Sequence, residues 1–386
     1  MSEEITSYDE SHITVLHAWE GIRKRPGMYV GSTGERGLHR AVYEVVGRPV
    51  NEVLAGRATS VDVTLAPDGG VSVADDGPGV PVEADEDGFG LEALLTSAHS
   101  GGQARGRDLA YLDMVGLGPY VTNALSSRLT AEVRRDGTRW VQEYTRGVAA
   151  APPTAVGAAD GSGTTLTFRP DPDIFETVEC SFAVLEERFR ELAFLNRRLA
   201  ISMTDTRLPG EPRSVRFRFP GGARDFVAFL DAPARTPVHP DVIAFEWEDE
   251  RMQGRAEVAL RWCASREERL RSFANSCPTH GGGAHVSGFR DGAAAALNAY
   301  ARKQRLLSAA ETDLGVERIC EGLTAVVSVK LDRLEFEGAT RSVLGNTAVS
   351  ACVGEAVREH LGRWLEEHPE QAAAVVARFL QDGSRS

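Results

Sequence analysis

Between Leu38 and Val73 the apolar period changes once, and that change limits what the chain can fold into. Leu38, Ala41, Val42, Val45, Val46, Val50, Val53 and Leu54 recur at helical spacing and form one stripe. Val61, Val63 and Leu65 then alternate, Asp68, Gly69 and Gly70 turn, and Val71 and Val73 alternate again, as in a hairpin. Glu44, Arg48 and Asn51 fall on the polar side of the helix. Pro49 removes a backbone hydrogen bond there at roughly 3 kcal/mol, and Gly47 adds roughly 1 kcal/mol. The spacing therefore predicts a helix kinked or interrupted on its polar face.

Asp75 and Asp76 close the second strand, and Gly77, Pro78 and Gly79 make a sharp loop. Alone, such a run is a turn former. A carboxylate at a strand end is also an acceptor-only group that can take the amino group of an adenine. Glu44 alone reads as an exposed helical glutamate paired to Arg48 one turn later, worth about 0.3–0.5 kcal/mol.

The 386 residues suffice for two or three domains, and 42% hydrophobic with 26% charged residues is ordinary for a soluble globular protein. A net charge of −13 argues against a whole-surface grip on DNA. Cys180, Cys263, Cys277, Cys320 and Cys352 are odd in number and scattered, which fits reduced cytoplasmic thiols better than disulfides or a zinc site. The start carries no signal-peptide pattern, and no apolar run reaches the ~20 residues of a membrane span.

Residues 1–15 read as an extended arm, 16–219 as an α/β sandwich domain and 220–386 as a second domain, with Pro220, Gly221 and Gly222 at the boundary. Strands are expected at 130–134, 140–144 and 164–168, and an amphipathic helix at 182–195. In the second domain strands are expected near 257–263 and 323–331, and helices near 289–307, 347–365 and 371–381. Residues 149–153 and 157–163 read as small-residue loops.

Several short runs stand in order: Arg23 to Gly31, Gly37 to His39, Tyr43 to Val46, Asp75 to Gly77 with Gly79 to Pro81, His99 to Gly102, Gly116 to Gly118, Asn123 to Ser126, and Gly163 with Thr164. Together they resemble the N-terminal half of the DNA gyrase B and topoisomerase IV ATPase family, in the GHKL superfamily. Ala193 to Asn196, Gly281 to Arg290 and Glu321 to Lys330 resemble that family's transducer domain. The resemblance runs from about Ser7 to about Val376. It implies an α+β chain: a GHKL (Bergerat-type) sandwich followed by a ribosomal-S5-like α/β transducer. A chain ending at Ser386 leaves no sequence for the family's metal-binding cleavage domain, so strand passage is not expected from it alone.

The resemblance also implies roles. Glu44 matches the general base. The family's Mg²⁺-holding asparagine is Arg48 here, and arginine has no acceptor with which to ligate a cation. Arg48 is expected either to replace the cation's charge beside the phosphates or to pair with Glu44, leaving hydrolysis weak or lost; alternatively it only decorates the helix. Asp75 matches the adenine-binding carboxylate, with Gly77, Gly79, Val80, Arg135 and Thr164 around it. Pro78 replaces an arginine that pairs with an acid, although Glu52 remains. The phosphate lid matches Gly101, Gly102, Gly116, Leu117 and Gly118. Gln103 replaces a lysine, Asp113 replaces a lid glycine, and Pro119 lacks an amide donor. In the transducer loop Arg341 keeps a cation toward the γ-phosphate and Ala339 loses an amide. Tyr8 matches an arm residue that reaches across to the nucleotide of the other protomer in a dimer.

Adenine nucleotide, as ATP, is thus the expected cofactor, with Mg²⁺ in doubt. A homodimer is expected, with gyrase subunits as further partners and DNA met only through a larger complex. Three readings stay open: a gyrase-B-like module of an ATP-dependent topoisomerase with impaired hydrolysis, a dimerising pseudo-ATPase that regulates or decoys gyrase, and an aminocoumarin-binding decoy.

Overall fold

The computed structural model describes residues 17–381 except 87–88, 99–105, 114–115, 233–235, 309 and 339–341. Tyr8, Gly101, Gly102, Gln103, Ala339 and Arg341 lie outside the described residues. Helices are α1 (Ala18–Lys24), α2 (Gly27–Val30), α3 (Glu35–Leu54), α4 (Leu91–Thr96), α5 (Pro119–Ala124), α6 (Phe182–Leu195), α7 (Ala223–Asp231), α8 (Ala284–Lys303), α9 (Val316–Cys320), α10 (Thr347–Glu367) and α11 (Pro369–Gln381).

A first sheet gathers β1 (Val61–Leu65), β2 (Val71–Asp75), β3 (Ser126–Arg135), β4 (Thr138–Thr145), β5 (Val148–Ala149), β6 (Thr154–Ala158), β7 (Gly163–Pro170), β8 (Ile201–Asp205) and β9 (Arg213–Phe217). Its order is β5-β4-β3-β7-β2-β1-β8-β9, with β6 also on β4. Among the described residues of this sheet only the β1–β8 pair is parallel. Val61, Val63, Leu65, Val71 and Val73 point to one face and pack under α3, α5 and α6 in a single core. Period two puts Asp75 on that same helix-facing side, buried at 3% exposure.

A second sheet has the order β10-β11-β14-β12-β13, from β10 (Ile243–Asp249), β11 (Gly254–Trp262), β12 (Arg269–Ala274), β13 (Cys277–Pro278) and β14 (Leu323–Leu331). One face packs on α8, α10 and α11. On the other, Ala259, Phe273 and Val326 meet Phe194 and Leu195 of α6 and Phe226 of α7, with Phe194 and Phe226 stacked at 4.6 Å. Among the described residues no helix is long and apolar enough to cross a membrane. All five cysteines are buried and free.

Two expectations are corrected. α3 runs unbroken for 20 residues through Pro49. Val45, Val46, Val50 and Val53, each 2% exposed or less, tie the helix to the core on both sides of the proline. Burying such side chains is worth about 1.5–3 kcal/mol each, more than the proline removes. The stretch 157–163 is not all loop, because Gly157 and Ala158 extend β6 along β4 and Gly163 opens β7.

Candidate functional site

The polar side of α3 does not face solvent. It faces the strand ends and the segment that leads into α5. Arg48 donates from Nη1 to Asp75 Oδ2 at 2.8 Å, the two side chains being 16% and 2% exposed. Asp75 Oδ1 accepts the Gly77 amide at 2.9 Å. Arg48 therefore neither pairs with Glu44 nor stands free beside a phosphate site. The buried strand-end carboxylate captures it, because an unpaired charge there would be costly.

Glu44 is turned to the other end of this space. Its Oε2 accepts the Gly118 amide at 2.6 Å. Burial pushes its carboxyl up to about 7, against the opposing pull of the Gly118 amide. Gly116 and Gly118 take left-handed backbone angles (φ 51° and 101°) that L side chains adopt rarely, and these aim the amide at Glu44. Asp113, which replaces a lid glycine, is ion-paired to Arg40. Pro119 is the first residue of α5, where its missing N–H is an orphan in any helix.

Around Asp75 the loop is closed by backbone bonds. Thr164 sits opposite Asp75 in register, and its Oγ1 accepts the Val80 amide at 3.1 Å. Arg135 donates to the Gly79 carbonyl at 2.8 Å. Gly163 is confined by its neighbour: a Cβ there would lie 2.2 Å from the Asp75 carbonyl oxygen. Asp76 accepts the Thr59 and Ser60 amides at 2.7 and 3.0 Å and anchors the loop. Glu52, left without its expected partner, is paired with Arg57 at 2.7 Å.

Residues 106–113 are fixed from both sides. Asn51 exchanges two bonds with Ala110, at 2.8 and 3.2 Å. From the second sheet, the Asn275 carbonyl accepts the Tyr111 amide at 2.8 Å, and Asn275 Nδ2 donates to Gly106 O at 3.1 Å. Arg188 of α6 donates to Leu112 O at 2.9 Å and to Ser276 O at 2.8 Å, and Arg107 grips Asp332 through two nitrogens.

Residues 222–385 match the family described as DNA gyrase B. The DNA gyrase B of Streptomyces coelicolor is 44% identical over 393 residues, covering 97% of this chain and 57% of that protein. The novobiocin-sensitive DNA gyrase B of Streptomyces niveus is 42% identical over 402 residues, covering 98% of this chain and 59% of that protein. The 43K ATPase domain of Thermus thermophilus gyrase B, solved in complex with an aminocoumarin, superposes with a TM-score of 0.79 at 33% identity over 95% of each chain.

The chain belongs to the DNA gyrase B family. The α+β arrangement of a GHKL sandwich followed by a transducer-type unit is that family's fold. The chain spans 57% and 59% of the length of the two Streptomyces gyrase B proteins.

Within this gyrase B frame the expected site residues Glu44, Arg48, Asp75, Gly77, Gly79, Val80, Gly116, Leu117, Gly118, Arg135 and Thr164 gather around α3 and the ends of β2, β3 and β7. Sequence reasoning misses Arg40, Asn51 as a clamp, and Asp76 as an anchor. The two-residue alternation of Val71, Val73 and Asp75 is the signal that could turn Asp75 toward α3. Among the described residues the carboxylates at this site do not form a set for a divalent cation: Asp75 is paired with Arg48, Asp113 with Arg40, and Glu44 accepts the Gly118 amide.

Proposed function

We propose that this chain is a gyrase-B-type nucleotide-binding and transducer module whose hydrolytic step is weak or lost. The observation that carries the reading is the Arg48–Asp75 ion pair. It puts a fixed guanidinium where the family holds its magnesium-binding asparagine, and a guanidinium donates only. Phosphoryl transfer rests on positioning and on cations that neutralise the developing charge. The base is not what is lacking: a carboxyl poised at about 7 is suited to accept a proton from water. What is lacking is a ligand set for the metal.

The nucleotide is held with its base toward Asp75 and Thr164 and its phosphates toward Gly116, Leu117 and Gly118. ATP is the expected ligand from family membership. A second copy of this chain is the proposed first partner, with Tyr8 and Arg341 completing the site, and true gyrase subunits the second. The role is then regulatory, with DNA met only through those subunits.

The test measures phosphate release from ATP and GTP with and without Mg²⁺, alongside thermal stabilisation by the same nucleotides. Stabilisation without magnesium-dependent release is expected. Fast magnesium-dependent release from the wild-type chain overturns the reading.

A further inference from the structure

Arginine carries nearly all the positive charge of this chain. Of its 43 lysines and arginines only Lys24, Lys303 and Lys330 are lysine. Lys24 and Lys303 are exposed on helices, whereas Lys330 is half-buried on β14. Its neighbours Val329 and Leu331 face the core under α8 and α10, so period two turns Lys330 to the opposite face. There it lines a cavity of about 770 Å³ between the ends of α3 and α6 and the second sheet. Its Nζ donates to Asn196 Oδ1 at 2.8 Å. Asn196, 3% exposed, is aimed by its own donations to Leu192 O and Ser276 Oγ at 2.9 and 3.0 Å.

Among the described residues this amine makes that one hydrogen bond and no ion pair. Arg255 stands directly opposite it in the β11–β14 register. Each carboxylate lining the cavity is already held by an arginine: Asp108 by Arg255, Glu246 and Glu257 by Arg197, and Glu248 by Arg107. Burial, with Arg255 beside it, lowers the Lys330 ammonium to about 8, against the pull of Glu257 and Asp108. A desolvated amine of this kind is a nucleophile near neutral pH. Arg198 lines the same cavity, is exposed and has no ion pair among the described residues, which leaves its guanidinium to a phosphate.

We propose that Lys330 is a covalent modification site whose amine takes the acyl group of a small acyl phosphate. The neutral amine attacks the acyl carbon. A C–N bond forms, the carbon–oxygen bond to the phosphate breaks, phosphate leaves with the electron pair, and the surplus amine proton passes to solvent. The amide keeps an N–H for Asn196 and adds bulk where β14 meets the end of α6. It is also neutral, as these surroundings favour. A phosphorylated aldehyde would instead give an iminium, which keeps the charge that burial disfavours.

The experiment treats the full chain with acetyl phosphate at about pH 7.5 and follows Lys24, Lys303 and Lys330 by peptide mass spectrometry. A group titrating near 8 is then about one-quarter neutral, and an ordinary lysine about one-thousandth. Lower basicity takes back part of that advantage. Lys330 is expected to be acetylated at least about tenfold faster than Lys24. Its rate should level off above about pH 8.5 while that of Lys24 keeps rising. Arg198→Ala should slow Lys330 at least about threefold with acetyl phosphate, leave Lys24 unchanged, and have no effect with the uncharged donor p-nitrophenyl acetate. Acetylation of Lys330 no faster than that of Lys24 overturns the proposal. Fast acetylation that Arg198→Ala does not slow overturns it as a site for acyl phosphates. The wild-type comparison of the three lysines decides the first point by itself, so that outcome does not depend on the variant folding.

Discussion

Arg48 Nη1 and Asp75 Oδ2 lie 2.8 Å apart and join α3 to the end of β2 across 27 residues of sequence. Removing one partner leaves the other as an uncompensated, nearly buried charge. Arg48→Ala is expected to destabilise the fold by about 3 kcal/mol, while adding Asp75→Asn restores part of that loss. A double-mutant cycle by urea unfolding should return a coupling energy of about 1–3 kcal/mol. A coupling near zero would mean that the pair contributes nothing to stability.

Glu44 gives a pH signature of known sign. Its carboxyl is raised from 4.5 to about 7 in the folded chain, chiefly by burial. The folded state therefore holds more protons than the unfolded state between those values. This contribution to stability is full below about pH 4.5 and is lost as pH rises through about 7. Glu44→Gln removes the dependence, so its stability relative to wild type should rise between pH 5 and pH 8 by up to about 3 kcal/mol. Paired denaturant unfolding at the two pH values checks this, and a constant offset between the proteins would contradict it.

The second sheet holds the segment before the glycine turn through Asn275, which is 1% exposed and has a backbone φ of +46°. Its side chain donates to Gly106 O and Leu331 O and accepts the Leu331 amide at 2.7 Å. Asn275→Ala leaves those groups unpaired and strains a left-handed position, at a cost of about 3 kcal/mol or more. Amide exchange should accelerate in residues 106–112 as well as in β14. Acceleration confined to β14 would show that the segment is held without Asn275.

Much of the fold is legible in the sequence because its signals are local. The alternation at 61–65 and 71–75 and the helical stripe at 38–54 each encode one face of one element, and β14 lies at 323–331 as expected. β12 escapes such a reading, since Arg269–Ala274 mixes charged, polar and apolar residues without clean alternation, whereas Ile243, Phe245 and Trp247 of β10 do alternate with Glu246 and Glu248, a signal the sequence reading left unused. Pro49 misleads because the core contacts that keep α3 continuous are tertiary. The same limit governs the site. Resemblance finds Glu44, Asp75 and Thr164, but the partner of Arg48 depends on which strand end passes under α3. Likewise the pairing of Asp113 with Arg40 depends on how residues 106–113 dock, so charges that read as free in the sequence are paired in the fold.

Arg48, through its hold on Asp75, is proposed to be what stops magnesium-dependent hydrolysis. Phosphate release from the Gly47→Asp, Arg48→Asn double variant, measured beside wild type with and without Mg²⁺, decides whether it does. Wild type should show no magnesium-dependent release and the variant a clear gain, because Asp75 is freed and a metal ligand restored next to an intact Glu44. Comparable magnesium-dependent turnover in the two proteins would contradict this assignment.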